Sequence, residues 1–304
     1  MNESQVKLGS LSAAIAYLIW GILPVYWKAV GSITAGALLA HRIVWSFVFM
    51  FFLLIISNHF TAFLKECKVI FRNRKKVFGL ILASTIISCN WLIFIWAVNS
   101  NYVIQASLGY YINPLISILL GVIILKEALS QAEFFSVILA GLGVTFLTFS
   151  YGVFPWVSFL LAITFALYAL IKKTLDISPM SGLTLETLMV FPFALTYLFI
   201  EQTSLQAMGT SLSLAGLLVG AGIVTAIPLL LFAVGAKKIP LSMIGFLQYI
   251  SPTLMLLIGV FIYNETFTFA HLIAFLAIWI ALGIYTSSRF LKLYQSKQAM
   301  KKVS

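Results

Sequence analysis

Ten apolar runs, each long enough to cross a lipid bilayer as a helix, fill almost the whole chain. A bilayer core about 30 Å thick takes roughly 20 residues in helical form. Runs of that length lie near residues 8–29, 33–57, 77–98, 102–125, 131–150, 155–173, 180–201, 213–235, 240–263 and 267–287. The longest connection between them, residues 57–77, leaves no room for a soluble domain. The sequence therefore predicts an all-α membrane protein with ten transmembrane helices.

The number and distribution of charged residues agree with a membrane protein. The sequence is 62% hydrophobic and 9% charged, whereas a soluble domain is about half apolar and about a quarter charged. If the N-terminus is cytoplasmic, 17 of the 19 basic residues fall on the cytoplasmic side, and only Lys28 and Arg42 do not. This distribution follows the positive-inside rule. We therefore expect both termini in the cytoplasm, the lipid bilayer as the partner of the apolar surface, and no nucleic-acid partner despite the net charge of +11.

Two segments of the chain repeat each other without a gap. Residues 110–127 and 248–265 share eight identities at a constant shift of 138 positions. The first copies of these residues are Tyr111, Ile112, Pro114, Leu119, Gly121, Val122, Ile124 and Glu127. The repeat divides the ten spans into two units of five, residues 1–150 and 151–304. Because five is odd, the second unit should enter the membrane from the opposite face, which predicts inverted repeats with Glu127 cytoplasmic and Glu265 outside.

The paired prolines, Pro114 and Pro252, lie inside predicted spans and have two interpretations. Transmembrane helices tolerate proline, often only as a fixed kink. Proline also frees a backbone carbonyl, and bent or broken helices line many transport sites. Asn113 and Ser251 precede the two prolines and are suited either to satisfy those carbonyls or to face a substrate. The sequence leaves both interpretations open.

Arg42 lies in the middle of a predicted span. Counted from residue 33 it is roughly 14 Å deep, where insertion of an arginine costs about 2.5–3.5 kcal/mol. It should therefore face the interior of the helix bundle with a partner or water. Among the acidic residues only Glu186 lies well inside a span, and aligning the two halves puts His41 opposite Glu186. The sequence predicts that Arg42 and Glu186 pair, directly or through water; separate solvation, or binding of Arg42 to helix-end carbonyls, is the alternative.

A further set of polar and aromatic side chains describes a cavity for a small amphipathic or zwitterionic molecule. Uncharged polar groups and aromatic rings with a polar tip need partners in the middle of a span, although the same groups also serve as glue between helices. His41 is a candidate proton carrier, as is Glu186, with a hydrogen-bonded packing role as the alternative for His41. The predicted substrate-binding residues are Trp20, Arg42, Asn90, Trp91, Tyr110, Asn113, Tyr168, Glu186, Gln248 and Tyr249.

Several segments together resemble a known family. They are WGILPVYWK (20–28), HRIVWSF (41–47), NWLIFIWAVN (90–99), ASLGYYINPL (106–115), LETL (185–188) and LQYISPT (247–253). The chain resembles the EamA repeat of the drug/metabolite transporter superfamily, and most closely its RarD branch. The resemblance implies a multi-pass permease of the bacterial inner membrane with a central pocket between its halves. It does not imply a substrate, because members of the superfamily move amino acids, sugars, nucleotide-linked metabolites or drugs.

These features predict a secondary transporter that moves a small metabolite, an amino-acid-like compound or a drug by alternating access. A passive channel or a non-transporting membrane scaffold is the alternative. A membrane enzyme acting on lipid phosphates would need clustered carboxylates for a metal ion, but Asp176 is the sole aspartate and no glutamates have ligand spacing. We therefore expect no catalytic residue, no metal and no cofactor. A proton is the candidate coupling ion, and the oligomeric state is left open.

Overall fold

The computed structural model describes residues 3–30, 33–99, 103–150, 152, 154–264 and 267–303, and its regular elements there are all helices. Within this part, nine segments are long and apolar enough to cross a membrane, and Ser107–Ile123 is a shorter apolar helix. The prediction of an all-α membrane protein is confirmed. The helices are α1 (Glu3–Ala29), α2 (Ala35–Ile56), α3 (Phe60–Arg72), α4 (Arg74–Asn99), α5 (Val103–Ile123), α6 (Gln131–Ser150), α7 (Trp156–Thr174), α8 (Pro179–Glu201), α9 (Thr203–Thr210), α10 (Leu212–Lys238), α11 (Leu241–Gln248), α12 (Ile250–Tyr263) and α13 (Phe269–Val303).

Helix α3 occupies the connection that the apolar runs left unassigned. Its apolar residues recur at helical spacing, so Phe63 and Ile70 are buried against neighbouring helices, while Lys65 and Lys68 remain exposed. A short helix with one apolar and one basic face is suited to the membrane surface rather than to spanning the bilayer. The search for long apolar runs missed it because its basic residues interrupt the apolar ones.

The two prolines of the repeat have different effects. Pro114 lies inside the continuous helix α5, whereas the predicted span 240–263 is interrupted at Tyr249, between α11 and α12. Pro252 has no N–H to donate to the carbonyl of Gln248, four residues earlier, which explains a break at this position. Ser251 donates instead to the carbonyl of Tyr17 in α1, at 2.7 Å. The break therefore lies where α1 and α12 pack together.

Helices from the first half of the chain pack mainly on helices from the second half. The principal contacts join α1 to α10 and α12, α2 to α8 and α10, α4 to α7, α5 to α7 and α11, and α6 to α13. A close contact lies at Gly222 of α10, where an added Cβ atom would lie 2.2 Å from the backbone carbonyl carbon of Trp45 in α2. The hydroxyl of Ser46 donates to the carbonyl of Gly222 at 3.0 Å. This contact holds α2 and α10 together beside the residues described below.

Candidate functional site

A layer of aromatic rings from α1, α7 and α10 lies in the buried core. The ring centroid of Trp20 lies 5.5 Å from that of Tyr17, 5.9 Å from that of Phe165 and 5.8 Å from that of Phe232. Tyr168 stacks on Phe232 with 6.1 Å between centroids and 15° between planes. The structure thus brings together Trp20 and Tyr168, two of the predicted lining residues, as parts of one cluster, which we call the aromatic layer.

A buried ion pair lies beside the aromatic layer. The Nζ atom of Lys172 is 2.8 Å from Oε1 of Glu186, and the two side chains are 5% and 3% exposed. The hydroxyl of Tyr168 donates to Oε2 of the same carboxylate at 3.0 Å. The predicted direct pair between Arg42 and Glu186 is therefore wrong, because Lys172 neutralises Glu186. Sequence reasoning assigned Lys172 to a cytoplasmic span end, although its position one helical turn after Tyr168 indicates a shared face.

Arg42 has partners other than a carboxylate. Its Nε–H donates to Oγ1 of Thr225 at 3.1 Å. The guanidinium carbon lies 4.8 Å from the ring centroid of Trp27 and 5.3 Å from that of Trp91. Cation–π contacts of this kind stabilise a cation without using its N–H groups. Arg42 is only partly buried, and the part of the chain that the structure describes offers no hydrogen-bond acceptor to its terminal nitrogens.

Trp27 shows the limit of a positional rule. A tryptophan at the end of a span is usually an interfacial belt residue, yet the structure places Trp27 against Arg42. The only sign in the sequence that Trp27 contacts a cation was Arg42 in the neighbouring span. Thr225 gave no signal, since a threonine in an apolar helix usually bonds to its own backbone.

His41 is buried, with 1% of its surface exposed. Neither ring nitrogen has a hydrogen-bond partner within the described ranges. The alternative interpretation of His41 as a hydrogen-bonded packing residue is not supported, because no such bond is present there. His41 and Arg42 are adjacent in α2 and point about 100° apart around its axis, so they face different neighbours.

The remaining predicted lining residues do not form one site. Asn90 donates to the carbonyl of Leu161 at 2.9 Å and to Oγ1 of Thr164 at 2.8 Å, which ties α4 to α7. Asn113 accepts from Ser117 within α5, at 3.3 Å. Tyr110 packs edge-on to Phe94 with 6.2 Å between centroids and interacts electrostatically with Arg42. Tyr249 belongs to a cluster with Tyr111 and Phe275, and Gln248 is buried at the end of α11.

A narrow cavity lies between Trp91 and Glu186. It has a volume of about 20 Å³, room for about one water molecule. Trp91, which contacts Arg42, and Tyr168 and Glu186, which belong to the ion-pair cluster, all line it. Pockets for small ligands measure about 300–1,000 Å³, so the passage is closed at this point. The other lining residues are Ile43, Ile87, Ser88, Leu183, Thr187, Val190 and Leu229.

Charged groups at the junction of two sets of membrane helices define a class of protein, the polytopic membrane transporters. Comparison with known proteins identifies the family within that class. The model of the EamA-like transporter family matches residues 7–149 and again residues 155–287. The chain belongs to the EamA-like transporter family.

Similar proteins agree with this assignment. The chain is 44% identical to an uncharacterized transporter, YojE, of Bacillus subtilis, over 95% of this chain and 97% of that protein. It is 42% identical to protein RarD of Salmonella typhi and 40% identical to protein RarD of Escherichia coli, in each case over 94% of this chain and 96% of the relative. The predicted resemblance to the RarD branch is confirmed, and the chain is a multi-pass membrane transporter rather than a member of an enzyme family.

One solved crystal structure superposes on the chain with a TM-score of 0.72. It shares 17% sequence identity and covers 91% of this chain and 96% of its own. At that identity the match supports the fold alone.

Proposed function

We propose that the protein is a secondary transporter of the bacterial inner membrane that moves a small amphipathic metabolite by alternating access between two inverted halves, residues 1–150 and 151–304. The family model matches once in each half. The order of the described helices supports the same division, because a short helix, α3 or α9, follows the second long helix in each half. Contacts such as α2 with α8 and α6 with α13 join the corresponding helices. Glu265, the second copy of Glu127, lies outside the described residues.

The gathering of basic side chains at one face supports the proposed orientation. Lys238, at the end of α10, bonds to Gln5 at the start of α1, and Lys173, at the end of α7, donates to the carbonyl of Ile239 at 2.6 Å. Lys76, at the start of α4, pairs with Asp176. We assign this face to the cytoplasm because basic residues stay on the cytoplasmic side. Both termini are then cytoplasmic.

The observation that carries the proposal is the presence of two separate charged groups, Arg42 and the Lys172–Glu186 pair, within the helix bundle. Arg42 and Glu186 each lie seven residues after the first residue of their helices, α2 and α8, roughly 10 Å along the axis. With inverted halves these helices begin at opposite faces, so Arg42 is reached from outside and the Lys172–Glu186 pair from the cytoplasm. Charges held at such depth mark transport pathways.

Glu186 and His41 are the proposed proton-coupling groups. Protonation of Glu186 removes the charge that Lys172 neutralises, which weakens the bond between α7 and α8 on the inner side. His41 is an ionisable side chain without a bonded partner in the described part of the chain, so it is free to take up or release a proton when the helices rearrange. A transporter coupled in this way needs no cofactor.

The proposal is tested in proteoliposomes and by topology mapping. Cells or vesicles loaded with candidate metabolites should show saturable uptake and counterflow, which a carrier supports and a passive channel does not. Reporter tags inserted after residues 127 and 265 should lie on opposite sides of the membrane. Tags on the same side would remove the inverted arrangement, and flux that never saturates would favour the channel.

A further inference from the structure

Six acidic side chains that the structure describes are bonded to groups other than Arg42. Glu186 pairs with Lys172, and Asp176 pairs with Lys76. The others accept hydrogen bonds near helix ends. Glu66 accepts from Ser178, Glu127 from the amides of Leu241 and Ser242, Glu133 from the amide of Ser130, and Glu201 from Ser204. Arg42 therefore has no counter-ion from the part of the chain that the structure describes.

The immediate surroundings of Arg42 hold the guanidinium in place without satisfying it. The bond from Nε to Thr225 uses one of its five N–H groups. The rings of Trp27 and Trp91 lie near the guanidinium carbon. Four N–H groups on the terminal nitrogens remain, in the forked geometry that matches the two oxygens of a carboxylate. The side chain is only partly buried, and no described acceptor occupies the fork.

The charge and the flanking rings define the chemistry of that ligand. One cation compensates one negative charge, whereas a phosphate dianion would keep an uncompensated charge among indole rings. An apolar or aromatic body next to the anionic group would lie against Trp27 and Trp91 and bury apolar surface. The only other described charges near the passage, Lys172 and Glu186, already neutralise each other, so no free carboxylate is present for a ligand ammonium group.

We propose that Arg42, held by Thr225 and flanked by Trp27 and Trp91, binds the carboxylate of a small aromatic or apolar monocarboxylate that the protein carries. This inference rests on the proposed transport function, since it names the substrate class of the same site. The bidentate Arg42–carboxylate contact fixes the anionic end of the ligand. The two indoles select its body, and Thr225 keeps the guanidinium from turning away.

Binding to purified protein in lipid nanodiscs tests the site directly, with phenylacetate as the probe. Phenylacetamide has the same body without the charge, and phenyl phosphate carries the same body with a second charge. Isothermal titration should show binding of phenylacetate and at least tenfold weaker binding of the amide and the phosphate ester. Binding of phenylalanine as tightly as phenylacetate would overturn the exclusion of an ammonium group, and equal binding of the amide would overturn the role of the charge.

Substitutions at Arg42 and at a control residue test which side chain binds the carboxylate. Arg42→Gln should weaken phenylacetate binding at least tenfold, and Arg42→Lys several-fold, because lysine keeps the charge but lacks the fork. Lys28→Gln is the matched control, since Lys28 is an exposed basic residue at the end of α1 and contacts the ring of Tyr263 instead. It should change the affinity less than twofold. If Arg42→Gln does not fold, Thr225→Val keeps the arginine and removes only its anchor, and unchanged binding in that variant would overturn the proposal.

Failure of this inference is distinguishable from failure of the transport function. Saturable counterflow of an uncharged substrate that is unaffected by Arg42→Gln would refute the carboxylate site but support the transport function. Tight, Arg42-dependent binding of phenylacetate without any flux would support the carboxylate site but refute the transport function.

Discussion

Removal of the Lys172 ammonium should destabilise the protein much more than removal of the lysine from an equally short ion pair whose carboxylate is exposed. In the Lys172→Met variant, the carboxylate of Glu186 would stay buried with only the hydroxyl of Tyr168 as a bonded partner, at 3.0 Å. Breaking a buried pair by removing one partner costs about 3–5 kcal/mol, because it leaves an uncompensated buried charge. We expect a loss of about 3 kcal/mol in the free energy of unfolding.

The chain contains a matched control for this change. Lys76 and Asp176 form a pair with 2.7 Å between nitrogen and oxygen, against 2.8 Å for the buried pair, but the Asp176 side chain is 95% exposed. Exposed pairs contribute about 0–1 kcal/mol. Lys76→Met should therefore lower the free energy of unfolding much less than Lys172→Met does.

Unfolding by sodium dodecyl sulfate in mixed micelles, followed by circular dichroism, measures both variants. The double variant Lys172→Met with Glu186→Gln tests the cause, because glutamine carries no charge and still accepts from Tyr168. It should recover at least half of the loss. If Lys172→Met and Lys76→Met are equally mild, or if the second substitution adds to the first, the buried pair is not a stabilising charge pair and the reasoning fails.

Three further predictions concern helix contacts outside the pair. Gly222→Ala should lower the free energy of unfolding by about 2 kcal/mol, since the new Cβ atom would lie 2.2 Å from the backbone of α2. Gly216→Ala, in the same helix, places its Cβ atom more than 4 Å from any atom of another helix. It should be neutral or stabilising in the same unfolding assay. Burial raises the pKa of Glu66, but hydrogen bonds from Ser178 outweigh it and leave that pKa below its ordinary value of 4.5. Its stabilisation is therefore present above pH 4.5 and lost as the pH falls through the lowered pKa, and Glu66→Gln should make the melting temperature less sensitive to acid in that range. Glu127→Ala should lower the free energy of unfolding by about 1 kcal/mol, because it removes the carboxylate that caps α11. If Glu127→Gln is as unstable as Glu127→Ala, the charge of the carboxylate matters rather than its role as a hydrogen-bond acceptor.

Hydropathy predicted the membrane helices because each must satisfy its own backbone in lipid. It could not find α3, whose basic residues interrupt its apolar ones, nor the break at Tyr249, which depends on how α12 packs against α1. The site was predicted less well. Elimination among the acidic residues identified Glu186 correctly as a buried carboxylate, but the same reasoning was not applied to the basic residues, so Lys172 was missed. The tertiary structure determines whether Arg42 or Lys172 pairs with Glu186, and residue spacing along one helix does not.

The proposed halves share a fold but differ in charge, and this difference has a consequence for transport. Aligning the halves places Arg42 opposite Thr187 and His41 opposite Glu186, so an exchange of shapes between the halves does not exchange the charges. In the proposed orientation, a buried ion pair between Lys172 and Glu186 closes the inner side, and Arg42 has no such partner among the described residues. If that pair contributes about 3 kcal/mol to the closed inner side, it favours this state over the inward-open state by more than about 100-fold. A ligand must then compensate this difference, or protonation of Glu186 must remove it, before the inner side opens. The Lys172→Met variant should therefore raise the reactivity of a cysteine at position 183, in the wall of the cavity, towards a membrane-impermeant thiol reagent applied from the cytoplasmic side, and unchanged reactivity would separate the ion pair from the opening step.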